Sequence, residues 1–132
     1  MHNELEQTLL SKALEARQKA YAPYSNFKVG AALITKEGKL FTGCNVENSS
    51  YGLSFCAERT AICKAVSEGF QQFQTIVVVA HPFATPCGAC RQFICEFGSD
   101  TELICADAED VTRIKRWKIS ELIPDSFKFL DH

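Results

Sequence analysis

Three cysteines and one glutamate form the part of this sequence whose residue types and spacing best fit catalytic chemistry. Cys56 and Glu58 begin and end the tripeptide Cys-Ala-Glu, and Cys87 and Cys90 lie in the later motif Pro-Cys-Gly-Ala-Cys. Three thiolates can occupy three corners of a tetrahedron around Zn²⁺ and leave the fourth corner to water. A carboxylate two residues beyond one ligand can move the proton of that water. The pattern therefore predicts a catalytic zinc site with three cysteine ligands and Glu58 as general acid and base.

Both halves of this motif are expected where a helix begins. Cys87 and Cys90 are three residues apart and share a helix face, so both sulfurs can reach one ion. Cys56 and Glu58 are two residues apart and must use the open first turn of a helix to point at the same place. The two helix N-termini would then meet at one edge of a sheet, where open α/β folds place their ligand sites.

Arg59 follows the glutamate directly and supplies a positive charge. Three thiolates and Zn²⁺ together carry a net negative charge, which weakens the metal as a Lewis acid. A cation beside the sulfurs draws off part of that charge. We therefore expect Arg59 to support the cluster from outside the ligand set, with an ordinary solvent-exposed helix arginine as the alternative.

The Cys-x-x-Cys element allows other interpretations. It is also typical of a thiol redox pair or of half a structural zinc site. The redox interpretation leaves Cys56 and Glu58 unexplained, and the structural one needs a fourth ligand. Candidates for that ligand are His81, Cys44, Cys63, Cys95 and Cys105. The three cysteines that fall in predicted helices and a predicted strand are expected to be small buried hydrophobes, and His81 is expected to be a loop histidine.

Length and charge restrict the classes of protein. A chain of 132 residues can bury a core of its own, so we expect a single domain over residues 1–132. Seven cysteines is an odd number, and the N-terminus lacks the basic and apolar regions of a signal peptide, which predicts reduced thiols and a cytoplasmic location. No apolar run reaches the roughly 20 residues that span a bilayer, so no membrane contact is expected. A net charge of −2 predicts no nucleic-acid partner and fits a small neutral or cationic substrate.

Hydrophobic periodicity predicts helices and strands in alternation. The helices are expected at 3–19 with Asn3 as N-cap, at 56–68, at 87–97 and near Glu121 with Ser120 as cap. The strands are expected at 28–35, 39–46, 74–80, 103–106 and 111–119. Only four residues separate the last two strands, too few for a crossover helix, so the fifth strand should run antiparallel. The order β-β-α-β-α-β predicts a three-layer α-β-α fold of the α/β class with a mixed five-stranded sheet.

Further residues around the metal motif carry a resemblance to a known family. The segment 45–53 reads Asn-Val-Glu-Asn-Ser-Ser-Tyr-Gly-Leu and leads into Cys-Ala-Glu-Arg-Thr-Ala at 56–61, and Pro-Cys-Gly-Ala-Cys-Arg-Gln follows at 86–92. In order and distance these motifs closely resemble the small, homotetrameric, three-cysteine cytidine deaminases, over the stretch from about Ala22 to Phe127. The resemblance implies a cytidine deaminase-like fold and one Zn²⁺ per subunit of a homotetramer. It also implies hydrolysis of cytidine and deoxycytidine to uridine and deoxyuridine, with release of ammonia, in pyrimidine salvage.

The resemblance also implies a set of residues that bind the nucleoside. Asn45 and Glu47 match the pair that binds the ribose 3′-hydroxyl, Phe27 matches an aromatic wall beside the pyrimidine, and the backbone N–H of Ala57 matches a contact to the base edge, with the region 85–86. A carboxylate and an amide at alternate strand positions face one side and can bind a sugar hydroxyl together. The same carboxylate repels phosphate, so nucleotides should bind poorly. The alternatives are a solvated strand end for the polar pair and core packing for the phenylalanine.

Two aromatic residues match positions that the family shares between subunits. Tyr51 and Phe127 are expected to be borrowed by neighbouring active sites, since aromatics are favoured at such interfaces. Core packing is the alternative. The tail departs from the family pattern, because Lys128 and Phe129 stand where a Gly-Pro turn is common. The loop 81–85 also looks shorter than in some relatives.

Other functions remain open at this point. Blasticidin S deaminase resembles the chain in size, fold and three-cysteine site, although Asn-Val-Glu-Asn and Tyr-Gly-Leu favour cytidine. A deaminase of bases in tRNA or single-stranded DNA is disfavoured, because such relatives place a helix between the fourth and fifth strands and carry basic surfaces. A structural-zinc or thiol-redox module without turnover is the alternative outside this enzyme class.

Overall fold

A computed structural model describes residues 3–129, so both ends of the predicted 1–132 domain lie outside the described residues. The strands are β1 (Val29–Thr35), β2 (Leu40–Cys44), β3 (Phe73–Ala80), β4 (Glu102–Asp107) and β5 (Asp110–Lys118). They form one sheet in the order β2-β1-β3-β4-β5. β3 and β4 are parallel, and the other neighbouring pairs are antiparallel. The predicted mixed sheet and antiparallel fifth strand are confirmed.

The helices are α1 (Glu4–Arg17), α2 (Ala57–Ser67), α3 (Gly88–Cys95) and α4 (Ile119–Leu122), and a 3₁₀ turn spans Tyr51–Leu53. α1 begins as predicted, since the Asn3 side chain accepts a hydrogen bond of 2.8 Å from the N–H of Glu6. The longest described helix, α1, has 14 residues, and no helix in the described part of the chain could span a lipid bilayer.

The predicted cap of the last helix is wrong. α4 begins at Ile119, so Ser120 lies inside the helix, and Lys118 takes the capping position. The Glu121 carboxylate reaches back to accept the Lys118 N–H at 2.7 Å. That bond satisfies a backbone donor at the start of the helix and removes the need for a serine cap.

Helices cover both faces of the sheet, which confirms the three-layer prediction. Successive residues of a strand point to opposite faces. In β3, Ile76 and Val78 therefore pack with α2 and α3, while Val77 and Val79 pack with α1 on the other face. Because both sides are covered, β3 lacks the alternation of a half-buried strand.

Two glycines allow the helices to approach the sheet closely. A Cβ at Gly30 would lie 2.0 Å from the carbonyl oxygen of Ala13 in α1, and a Cβ at Gly43 would lie 2.5 Å from the backbone nitrogen of Ala61 in α2. Any larger residue would push these backbones apart. Gly43 therefore sets how closely α2, which carries the first half of the cysteine motif, sits on β2.

The second strand is shorter than predicted. β2 ends at Cys44, and Val46 lies in an extended segment that forms isolated bridges with Tyr21 and Phe55. Asn45 and Glu47 therefore flank a bridged residue beyond the strand. Both side chains still line one cavity.

Candidate active site

Three cysteines meet where α2 and α3 begin. Cys56 and Cys87 are the N-cap residues of these helices, and neither side chain caps its helix. Together with Cys90 in the first turn of α3, their sulfurs all lie within 4.8 Å of one another. The Cys87 and Cys90 sulfurs are 3.6 Å apart. The structure thus brings together the three cysteines that the sequence predicts as ligands.

The spacing of these sulfurs fits a tetrahedral zinc ion. Zn–S bonds of about 2.3 Å place two sulfur ligands about 3.8 Å apart. Within residues 3–129, no fourth histidine, cysteine or acidic residue joins this group. His81, a candidate for that position, instead lies with Nδ1 3.0 Å from the Asp107 carboxylate. The donor set therefore fits a zinc ion with one coordination position left to a small ligand, not a closed structural site.

Glu58 lies beside the sulfur cluster and is only 3% exposed. Burial is the main cause that raises the pKa of this carboxyl from 4.5 to about 7, and the nearby Cys56 adds to the rise. A carboxyl with a pKa near neutrality can both accept and release a proton at physiological pH. The electrostatics of the pocket therefore suit the general acid and base expected at this position.

A hydrogen bond between the Cys56 and Cys90 sulfurs shifts their pKa values in opposite directions. The Cys90 thiol is the main group that lowers the pKa of Cys56 to about 6, and the Arg59 charge lowers it further. The same contact raises the pKa of Cys90. Zinc binds the deprotonated sulfurs, so metal binding at this cluster would release the protons that the sulfurs share.

Arg59 is half-buried and is held in place beside the cluster. Its Nη2 donates to the carbonyl of Ser54 at 3.1 Å, and its guanidinium lies 4.8 Å from the centroid of the Phe55 ring. The Nε atom is buried and has no hydrogen-bond partner among the described residues. This environment differs from that of a solvated helix arginine, and it places the positive charge near the thiolates.

A cavity of about 270 Å³ opens onto the cysteines and Glu58. Its wall includes all four residues predicted to bind substrate, which are Phe27, Asn45, Glu47 and Ala57. The loop before α3 closes another side with Ala84, Thr85 and Pro86. The residues that the resemblance assigns to metal and to nucleoside therefore share one concave site.

Asn45 and Glu47 have structural contacts of their own. The Asn45 side chain accepts from the N–H of Val29 at 2.9 Å and donates to the carbonyl of Phe27 at 2.8 Å. The Glu47 carboxylate accepts from the N–H of Tyr24 at 3.0 Å and from both the N–H and the hydroxyl of Ser25. The Ser25 hydroxyl is the main cause that lowers the pKa of Glu47. Neither residue is a solvated strand end, and Asn45 also positions the backbone of Phe27.

Tyr51 and Phe127 are not core residues. They are 79% and 71% exposed, and neither lines the cavity. The chain at Phe127 is held against α3, since Gln92 donates to its carbonyl at 2.9 Å and accepts its N–H at 3.3 Å. The exposed aromatic rings fit the predicted contacts between subunits, a role that stays a prediction.

Two residues that organise the pocket were not predicted. Ser25 binds the Glu47 carboxylate, and Arg91 donates to the carbonyl of Pro86 and to the hydroxyl of Thr85. Ser25 stands in an ordinary turn and carries no distinguishing pattern. Arg91 directly follows the ligand Cys90, so its place in the motif is a signal that could have identified it.

Comparisons with known proteins agree with this geometry. Residues 3–107 match the family model described as the cytidine and deoxycytidylate deaminase zinc-binding region. A probable cytidine deaminase from Dictyostelium discoideum is 53% identical over 115 residues, which cover 85% of this chain and 78% of that protein. The crystal structure of cytidine deaminase from Burkholderia pseudomallei superposes with a TM-score of 0.86 at 48% identity, covering 92% of this chain and 98% of that one.

A related enzyme with a different substrate also matches. Blasticidin-S deaminase from Bacillus cereus is 35% identical over 106 residues, which cover 73% of this chain and 74% of that protein. The family model covers more than half of the chain and includes all three clustered cysteines. The chain therefore belongs to the cytidine and deoxycytidylate deaminase family of zinc-binding proteins.

Proposed function

We propose that this protein hydrolyses cytidine and deoxycytidine to uridine and deoxyuridine with release of ammonia. The observation that carries the proposal is the buried Glu58 carboxyl, with its pKa near 7, beside three clustered sulfurs in a cavity that admits a small molecule. Family membership and cytidine deaminase relatives at up to 53% identity support the choice of substrate.

Zn²⁺ held by Cys56, Cys87 and Cys90 would supply a water that is acidic enough to attack at neutral pH. Glu58 would accept the proton of that water as the oxygen attacks C4 of the pyrimidine. It would deliver that proton to ring N3. It would then take the second proton from the hydroxyl group now bonded to C4 and deliver it to the departing amino group. Cytidine and water thereby become uridine and ammonia, and Glu58 ends in its starting state.

Arg59 would offset the negative charge of the three thiolates. Its guanidinium lowers the pKa of Cys56 and also acts to lower that of Glu58, so it stabilises negative charge in the site. Thiolates that share their charge with a cation donate less of it to the metal. We infer that loss of this charge would weaken catalysis more than zinc binding.

The residues that line the cavity indicate how a nucleoside would bind in it. Phe27 would lie along the pyrimidine ring, and the backbone N–H of Ala57 would meet the base edge near Glu58. Asn45 and Glu47 would bind the ribose 3′-hydroxyl with the hydrogen-bonding capacity that their structural contacts leave, since each carboxylate oxygen has two acceptor sites. The ionised Glu47 would repel a 3′-phosphate.

A homotetramer would complete the site. Tyr51, Leu53, Phe127 and Phe129 are large apolar side chains that are more than two-thirds exposed. Exposed aromatic residues of this kind are typical of subunit interfaces. Contact by Tyr51 and Phe127 with neighbouring active sites, and a cytoplasmic location, remain predictions. Sedimentation or light scattering of the purified protein tests the tetramer.

Blasticidin S is the second candidate substrate, because a blasticidin-S deaminase matches at 35% identity. Metal analysis combined with ammonia release from cytidine, deoxycytidine, CMP, adenosine and blasticidin S separates the alternatives. We expect about one zinc per chain and turnover of the first two compounds. Zinc without turnover of any of the five would instead indicate a structural metal module.

A further inference from the structure

The loop between β3 and α3 forms one wall of the cavity but has no regular structure. Residues 84–86 of this loop line the cavity, and Cys87 follows them directly. In the described part of the chain, no backbone-to-backbone hydrogen bond holds residues 81–86. Side chains from elsewhere must therefore fix its shape, since an irregular segment otherwise retains its conformational freedom.

Asp107 holds the first half of this loop. It ends β4 directly opposite Ala80, the last residue of β3, and is 3% exposed. Its Oδ2 accepts from the N–H of Phe83 at 3.3 Å, and its Oδ1 lies 3.0 Å from Nδ1 of His81.

The same carboxylate is tied to the turn between β4 and β5. Oδ1 also accepts from the N–H of Glu109 at 2.9 Å, and Oδ2 lies 3.9 Å from the Arg113 guanidinium. The Glu109 and His81 contacts lower the pKa of Asp107, so it is ionised at neutral pH. Both oxygens thus act as acceptors, which an amide side chain at this position could not reproduce.

Arg91 holds the second half of the loop. Its Nε donates to the carbonyl of Pro86 at 2.9 Å, and its Nη2 donates to the hydroxyl of Thr85 at 3.3 Å. Its Nη1 donates to the carbonyl of Leu122 in α4 at 3.1 Å. One planar guanidinium therefore joins the loop to α4, a geometry that the single ammonium of lysine cannot match.

We propose that Asp107 and Arg91 are positioning residues that clamp the two halves of loop 81–86 in the shape that binds the pyrimidine. The inference rests on the proposed function, because it names what holds the base-binding wall of that site. Neither residue touches the reacting atoms. If a clamp is removed, only a fraction of the molecules has the loop in place, and the apparent substrate affinity is multiplied by that fraction.

Asp107→Asn is the main test, since this residue lies outside the metal motif. The asparagine side chain has only one acceptor oxygen, so it cannot accept every hydrogen bond that the Asp107 carboxylate accepts. Loss of one buried hydrogen bond to a charged group is worth about a factor of ten or more, so we expect KM for cytidine to rise about tenfold. kcat should stay within about twofold and zinc content unchanged, because Glu58 and the cysteines are not altered. Amide hydrogen exchange at Phe83 should accelerate.

Two matched variants separate positioning from general destabilisation. Asp110→Asn removes an exposed carboxylate that binds only its neighbour Thr112 in the described contacts. Ile104→Val trims a buried residue of the α1-side core without touching the loop. Both should leave KM unchanged, even where the second lowers the melting temperature.

Arg91→Lys tests the second clamp independently and also covers a failure of Asp107→Asn to fold. Lysine keeps the positive charge but lacks the several N–H donors of the guanidinium, so KM for cytidine should again rise while zinc stays bound. The double variant should raise KM by less than the product of the two single effects, because both release the same loop.

Unchanged KM and unchanged Phe83 exchange in folded, zinc-loaded Asp107→Asn would overturn the proposal. If wild-type protein fails to deaminate cytidine, the proposed function is wrong. Amide exchange at Phe83 then still decides whether Asp107 holds its half of the loop.

Discussion

Replacing Glu58 by Gln removes the side chain whose proton the proposed chemistry moves, with little change in shape. Proton transfer by a positioned group contributes about 10²–10⁴-fold to a rate, and Glu58 would act in several steps. We therefore expect turnover of cytidine to fall by at least about 10⁴-fold. Zinc should remain bound, since the three sulfurs are untouched.

The same substitution should change how the stability of the metal-free protein depends on pH. Burial raises the pKa of Glu58 from 4.5 to about 7 in the folded state. The folded protein therefore binds this proton more tightly than the unfolded chain does. Below about pH 4.5 the carboxyl is neutral in both the folded and the unfolded state, so its burial does not lower the free energy of unfolding. As pH rises through 7, the buried group must ionise, and stability is lost.

The size of this loss follows from the two pKa values. A difference of about 2.5 pH units, at about 1.4 kcal/mol for each, gives about 3.4 kcal/mol in total. About 2.5 kcal/mol of that develops between pH 5 and pH 8. Gln carries no charge at either pH, so the variant should gain about 2.5 kcal/mol relative to wild type over this interval.

Urea unfolding of both metal-free proteins at pH 5 and pH 8 measures the difference. The thiols are common to both proteins, so the part of their titration that does not depend on the Glu58 charge cancels in the comparison. Glu68→Gln is a matched control, because it replaces an exposed carboxylate at the end of the same helix. A stability difference between wild type and Glu58→Gln that is the same at both pH values would refute the claim that this carboxyl is held neutral by burial.

The remaining predictions concern the metal, the sugar and the packing of α2. In metal analysis and ammonia-release assays, Cys87→Ala should lose zinc and activity together, whereas Cys63→Ala should keep both. Loss of zinc from Cys63→Ala would contradict the proposed ligand set. Wild type should turn over 3′-deoxycytidine with kcat/KM about 10²-fold below that for cytidine, because the Glu47 carboxylate loses a hydrogen-bond partner. Glu47→Gln should narrow the difference between the two substrates in steady-state kinetics. Gly43→Ala should lower the free energy of unfolding by about 3 kcal/mol, because the new Cβ would collide with the backbone of α2. Gly52→Ala is the control. It has open space around it and should change the free energy of unfolding by less than about 0.5 kcal/mol. Equal effects of the two glycine variants in urea unfolding would show that close helix approach is not the cause.

Local patterns were enough to predict the elements and the chemistry that they carry. The helix starts at Cys56 and Cys87, the cap at Asn3, the buried strand β3 and the antiparallel return of β5 all depend on interactions within a few residues or on short connections. Cysteine spacing relative to these helix starts likewise predicts the thiol cluster, because helix geometry sets which side chains share a face. The family resemblance predicted the residues that bind substrate, and all four of them line the cavity.

Contacts between distant parts of the chain decided the rest. Exposure of Tyr51 and Phe127, which sequence left open against core packing, depends on what the fold leaves uncovered. Asn45 and Glu47 turned out to hold backbone 16 to 23 positions earlier in the chain. The clamps on loop 81–86 join residues from different elements, and no local pattern records which distant backbone group a charged side chain will meet. Helix and strand propensity is read from neighbours in sequence, whereas burial and hydrogen-bond partners are set by packing, so only the tertiary structure could assign them.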